Sequence, residues 1–259
     1  MTDQRVLFLG AGSAGIGIAN MITSAMMLEG DSEEEAISKI NLFDVNGLLE
    51  NSRTDLSEVQ KRFAKDHTPT KNFVEAINQL KPSIIIGVST VGKAFTQEVV
   101  EAMSTLNERP IIFSLSNPTE HAECSAEEAY QWSNGKAVFC AGVPFDAVEL
   151  NGKTYYPGQA NNFYCFPGVS LAIYATQPKL MGDAHWITSG LALAKMLTQE
   201  EKEKGMVLPP QSDILEVSLE VATKVAERFF EDGLAQVERP ENIKEWLQSM
   251  LYKPEYTSF

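Results

Sequence analysis

The chain has 259 residues, 44% of them hydrophobic, and carries a formal net charge of −14 at pH 7. That length and apolar content allow one large domain or two small ones with a real core. The charge excludes an average surface built for polyanions, so neither nucleic acid nor an anionic membrane is an expected partner.

The first apolar stretch, Val6 to Leu28, runs 23 residues without a charge, long enough to cross a bilayer on length alone. Its glycines at 10, 12, 15 and 17 and its polar Ser13, Asn20, Thr23 and Ser24 argue instead for a buried strand, VLFLG, followed by a helix, IGIANMITSAMML. The preceding MTDQR has a carboxylate beside its cation, which makes a poor signal-peptide start. At the strand-to-helix junction stands Gly10-Ala11-Gly12-Ser13-Ala14-Gly15, the G-x-G-x-x-G pattern in the context that a dinucleotide-binding loop needs. Gly10 would permit the tight turn, Gly12 the close approach of a pyrophosphate, and Gly15 the packing of helix on strand. The N–H groups of Ser13 and Ala14 would help to hold phosphates at the helix start.

The second strand, INLFDV, closes on Asp44, which is placed either to accept hydrogen bonds from adenosine ribose hydroxyls or to act as a turn residue before Val45-Asn46-Gly47. It lies 34 residues after Gly10, farther than the usual spacing of about 20. The excess is GDSEEEAISK, where Ser32 and Glu35 predict a capping box opening an extra helix. Three more apolar runs follow with helical material between them: SIIIGV, PIIFSLS and AVFCAG. This alternation predicts an α/β fold, a Rossmann-like, doubly wound and mostly parallel sheet. Ser125 and Glu128 predict a second capping box, before AEEAYQW.

Past Gly142 the pattern changes. Asn151-Gly152 between two β-like runs predicts a hairpin, and helices are expected around VSLAIYA, DAHWITSGLALAKML and ILEVSLEVATKVAERFF. Residues 1–150 thus read as the sheet domain and 151–259 as a hairpin and helical extension of it, with no proline- or serine-rich linker between them. Cys124, Cys140 and Cys165 lack CxxC spacing and are odd in number, which fits free thiols and a cytoplasmic setting. His67, His121 and His185 are scattered and lack metal-ligand spacing. Asn117, in SLSNPT, would face whatever lies above the sheet, while Asn161 and Asn162, in GQANN, offer neutral amides suited to a carboxylate or carboxamide ligand. Plain Asn-Pro and Asx turns account for these residues equally well.

Taken in order, GAGSAGIGIA, FDVNGLL, KPSIIIGVS, ERPIIFSLSNPT with CSAEEAY, PFDAV and PGQANNFYCFPGVSLAI resemble the NAD(P)-binding domain and C-terminal segment of malic enzymes across nearly the whole chain. The resemblance implies that Gly10, Gly12 and Gly15 form the pyrophosphate loop and Asp44 the ribose acid. It also implies that Asn117, Asn161 and Asn162 contact malate and the nicotinamide end of the cofactor. In the family a general acid tyrosine, a general base lysine and carboxylates holding Mg or Mn lie upstream of the glycine loop, where only Met1 to Leu9 stand here. The expectation is therefore a cofactor-binding part that does not turn malate over alone, with the metal belonging to the full-length enzyme. Members that use NADP tend to carry a lysine shortly after the ribose acid; Asn51 takes that place, with Arg53 nearby, so NAD is expected over NADP. A malolactic enzyme and a non-catalytic NAD(H)-binding sensor fit the same motifs. Family members assemble as dimers or tetramers.

Overall fold

The computed structural model describes residues 1–251, which form two compact units: Met1–Ala160 with Thr198–Leu208, and Asn161–Leu197 with residues from 209 onward. The first unit is built on strands β1 (Val6–Leu9), β2 (Ile40–Asp44), β3 (Gly47–Leu48), β4 (Ile84–Gly87), β5 (Ile111–Ser114), β6 (Val138–Ala141) and β9 (Gly158–Gln159), with β7 (Val148–Leu150) and β8 (Lys153–Tyr155) as a separate hairpin. The sheet order is β3-β2-β1-β4-β5-β6-β9. All neighbours are parallel except the β2–β3 pair. The five predicted strands are all present; β3 and β9 are additions, each two residues long and too short to show as an apolar run.

Side chains alternate across the sheet with the two-residue period of a strand. Leu7, Phe43, Ile85 and Ile112 face one core with Ala76, Ile77, Val99, Val100 and Met103, which belong to the helices Phe73–Leu80 and Gln97–Leu106. Val6, Phe8, Ile40, Leu42 and Ile86 face the other, with Ile16, Ala19 and Met26 of α1 (Ser13–Leu28). Burial on both faces explains why the strands read as unbroken apolar runs. Each fully buried Leu, Ile or Phe contributes roughly 1.5–3 kcal/mol of transfer free energy.

Both predicted capping boxes form, at Ser32–Glu35 before α2 (Glu33–Ser38) and at Ser125–Glu128 before the helix Ala126–Trp132. The hairpin turns at Asn151 and Gly152, both at positive φ (52° and 75°), as a tight turn between twisted strands demands. In the second unit the long helix Ile214–Glu231 buries Val217, Val221, Val225 and Phe229 and packs against the helices Phe166–Thr176 and Asp183–Met196. No helix among the described residues is long and apolar enough to cross a membrane.

Candidate functional site

From β1 the chain steps outward to β2 and β3 on one side and then crosses back to β4 on the other side of β1, so the direction of winding reverses there. Open α/β sheets bind ligands in the crevice above such a reversal. A cleft of about 520 Å³ lies there, lined by Leu9–Ala14, by Phe43, Asp44 and Val45, and by Val88–Val91 with Ala94. Gly10, Gly12, Ser13, Ala14 and Asp44 are thus brought together as expected.

The glycine loop owes its shape to close approach. Gly10 sits at φ +120°, and a Cβ there would stand 2.6 Å from the Val88 carbonyl oxygen. Gly15 lies beneath the loop, where a Cβ would stand 2.2 Å from the Gly10 carbonyl oxygen. At Gly12 a Cβ would meet nothing within 4 Å, so that position opens into the cleft. Gly12 also begins α1 without any side-chain cap and with no acidic residue in the first turn. The first N–H groups of a helix have no partner within it, and here they face a cleft with the positive end of the helix dipole behind them. By contrast, α2 and the helix Ala126–Trp132 have serine caps and glutamates at that end.

Asp44 ends β2 and is held from two sides. Its Oδ1 accepts from the Asn46 N–H at 2.8 Å, an Asx turn, and both oxygens accept from the Arg53 guanidinium at 2.9 Å. Arg53 gives its remaining donors to Asp55 at 3.0 and 2.7 Å and to the Gly47 carbonyl at 3.1 Å. The pairing with Asp55 and Asp44 raises the Arg53 pKa and holds the Asp55 carboxyl well below the usual carboxylate range. Two carboxylates on one cation leave this wall with net negative charge. Gln60 braces the glycine loop, its amide donating to the Ala11 carbonyl at 3.1 Å.

The opposite wall holds a residue that sequence reasoning missed. Glu123 is fully buried, and its carboxylate accepts five hydrogen bonds from Ser89, Ser114 and Ser116. Burial of a charge is tolerated only with such compensation. Asn117 follows directly, exposed and joined to Pro118 by a cis peptide bond. Asn161 and Asn162, both exposed, begin the second unit, where Asn161 accepts from the Phe163 N–H at 3.1 Å and caps a short 3₁₀ turn.

The remaining candidates are structural. His67 pairs with the Asn41 amide at 2.9 Å, and burial lowers its pKa. His185 stacks on Phe229 with centroids 4.3 Å apart. Burial pushes the Cys124 and Cys140 thiols up, Cys140 to about 12, so neither is a nucleophile near neutral pH. Among the described residues no group of three or more His, Cys, Asp or Glu is placed to hold a metal ion.

Glycine loop, uncapped helix start and strand-end acid above the sheet reversal define a Rossmann-like nucleotide-binding unit. The family model described as malic enzyme, NAD binding domain, matches residues 1–230. The NADP-dependent malic enzyme of Vitis vinifera is 45% identical over 262 residues, covering 100% of this chain and 44% of the relative. That of Anas platyrhynchos is 42% identical over 261 residues, covering 100% of this chain and 47% of the relative. The crystal structure of the Entamoeba histolytica malic enzyme shares the fold, with a TM-score of 0.74 at 22% identity over 96% of this chain and 47% of that one. The chain belongs to the malic enzyme family, in its NAD-binding domain, and spans about half the length of the curated relatives it matches.

Proposed function

We propose that this chain is the cofactor-binding part of an enzyme that oxidises and decarboxylates malate to pyruvate, and that its cofactor is NAD. The observation that carries the reading is the cleft itself: uncapped amides of the Gly10–Ala14 loop for the pyrophosphate, and Asp44 across from them for the ribose. NAD supplies the hydride acceptor when bound; the chain's own residues hold and orient it. A carboxylate has about four lone-pair sites, so beside its three bonds to Arg53 and Asn46 Asp44 retains one acceptor site, on Oδ2, for a ribose hydroxyl. Asn117, Asn161 and Asn162 are assigned to malate and the nicotinamide amide, where neutral donors and acceptors orient a ligand without a fixed charge.

The choice of NAD rests on Arg53. A 2′-phosphate adds about −1.5 to −2 charge near neutral pH, and the Arg53 guanidinium beside Asp44 is already committed to two carboxylates and a carbonyl. The relatives are named NADP-dependent, which makes NADP the second reading. Calorimetric titration of the chain with NADH and with NADPH decides between them. Tighter NADH binding, by about tenfold for the loss of one favourable charge interaction, is expected. Tighter NADPH binding would overturn the cofactor choice, and binding of neither would overturn the nucleotide site.

A further inference from the structure

We propose that Glu123 is a positioning residue for the nicotinamide half of the cofactor, its buried carboxylate fixing the Ser89–Val91 wall of the cleft through three serines. The inference rests on the cleft being a dinucleotide site. Given that, Asp44 marks the adenosine half, and a dinucleotide laid across the sheet reversal must place its other half over the ends of β4 and β5. Glu123 acts at that end.

Its Oε1 accepts from the Ser89 N–H at 3.1 Å, the Ser89 hydroxyl at 3.2 Å and the Ser116 hydroxyl at 2.5 Å. Its Oε2 accepts from the Ser114 hydroxyl at 3.2 Å and the Ser116 N–H at 3.3 Å. Each serine oxygen in turn accepts a backbone N–H: Val91 to Ser89 at 3.2 Å, Thr90 to Ser116 at 3.0 Å, and Cys124 to Ser114 at 3.2 Å. Three consecutive amides, at Ser89, Thr90 and Val91, are therefore turned inward and away from any phosphate. The loop is also strained, because Thr90 is β-branched and sits at φ +59°, a conformation that persists only when its surroundings over-determine it. The strand beneath makes room for the carboxyl group. A Cβ on Gly87 would stand 2.3 Å from Glu123 Cδ.

Both carboxyl oxygens of Glu123 accept from a backbone N–H, Oε1 from Ser89 and Oε2 from Ser116. Glu123→Gln keeps the volume but sets an amide NH₂ against N–H donors, so the wall should loosen while the Asp44 side is untouched. The test is calorimetric titration of wild type, Glu123→Gln and Asp44→Ala with NADH and with ADP-ribose, which lacks the nicotinamide, each variant's melting temperature being recorded. Glu123→Gln should weaken NADH about tenfold, on the scale of one lost charged hydrogen bond, and leave ADP-ribose within about twofold. Asp44→Ala should weaken both ligands. A merely structural glutamate would move both ligands together or neither, and either result with Glu123→Gln overturns the proposal. If Glu123→Gln does not fold, Ser116→Ala decides: the same split between ligands supports the proposal and its absence overturns it. Failure of the wild type to bind either ligand would instead overturn the dinucleotide reading, and this assignment with it.

Discussion

The two walls of the cleft solve the same problem, a rigid surface beside the glycine loop, by opposite means. On the wall proposed for the adenosine half, Asp44, Arg53 and Asp55 come from 12 residues of continuous chain and form an ion-paired cluster whose Asp55 side chain is 47% exposed. On the wall proposed for the nicotinamide half, a single carboxylate is buried among three serine hydroxyls drawn from two segments, one following β4 and one at the end of β5. The first arrangement is local and, at Asp55, open to water, so it tolerates adjustment there. The second is desolvated, so losing one partner leaves another unsatisfied. Specificity for the 2′ position should accordingly be tunable, whereas the geometry of the reactive end should not.

The most damaging change is one that removes the floor shared by both walls. Gly15→Ala forces its Cβ against the Gly10 carbonyl; overpacking of this kind costs about 1–3 kcal/mol. We expect a lowered melting temperature and loss of NADH and ADP-ribose binding together. Gly87→Ala is next and should separate the walls. Its methyl group displaces the Glu123 carboxyl, so NADH binding should fall about tenfold or more, on the scale of a broken charged network, while ADP-ribose binding survives. Equal loss of both ligands would show the walls to be mechanically one body.

Third is Asp44→Ala, read through cofactor preference. Removing this carboxylate takes away the acceptor proposed for the ribose, but it also frees two Arg53 N–H groups and removes one negative charge. The ratio of NADPH to NADH affinity should therefore rise about tenfold, even as NADH binding weakens. An unchanged ratio, measured by parallel titrations, would show that Asp44 plays no part in excluding the 2′-phosphate.

The same contrast explains what could be seen before the structure. Ile84–Ile86 and Ile111–Ile112 announce themselves as strands because both faces of the sheet are covered. Ser32 with Glu35 and Ser125 with Glu128 announce helix starts because capping is a matter of three-residue spacing. The place of Asp44 at the cleft was legible because it depends on where one strand ends. Glu123 was not, because it sits in ECSAEE beside Glu127 and Glu128, which are ordinary first-turn helix acids. What distinguishes it is the arrival of Ser89, Ser114 and Ser116 in space, and only the β4–β5 pairing brings those residues together. Arg53 was visible as a nearby cation, but not that both carboxylates would claim it. The edge strands β3 and β9 left no periodicity to detect, since two residues cannot show one.

The smallest expected effect tests whether the adenosine wall is as adjustable as its exposure suggests. Asp55→Asn leaves Asp44 in place and releases Arg53 Nε and one Nη2 bond, so NADPH binding should improve by about threefold, within the range of an exposed ion pair. Acid cannot imitate this substitution above the carboxylate range. The bonds from Arg53 hold the Asp55 pKa below its ordinary value, so its stabilising contribution is fully present above the unfolded carboxylate pKa of about 4 and disappears only as the pH falls further. The melting-temperature difference between wild type and Asp55→Asn should therefore stay constant from pH 8 to pH 5 and narrow below about pH 4. No difference at any pH from 8 to 3 would mean that Arg53 is not holding Asp55, and the cation would then be available for a 2′-phosphate after all.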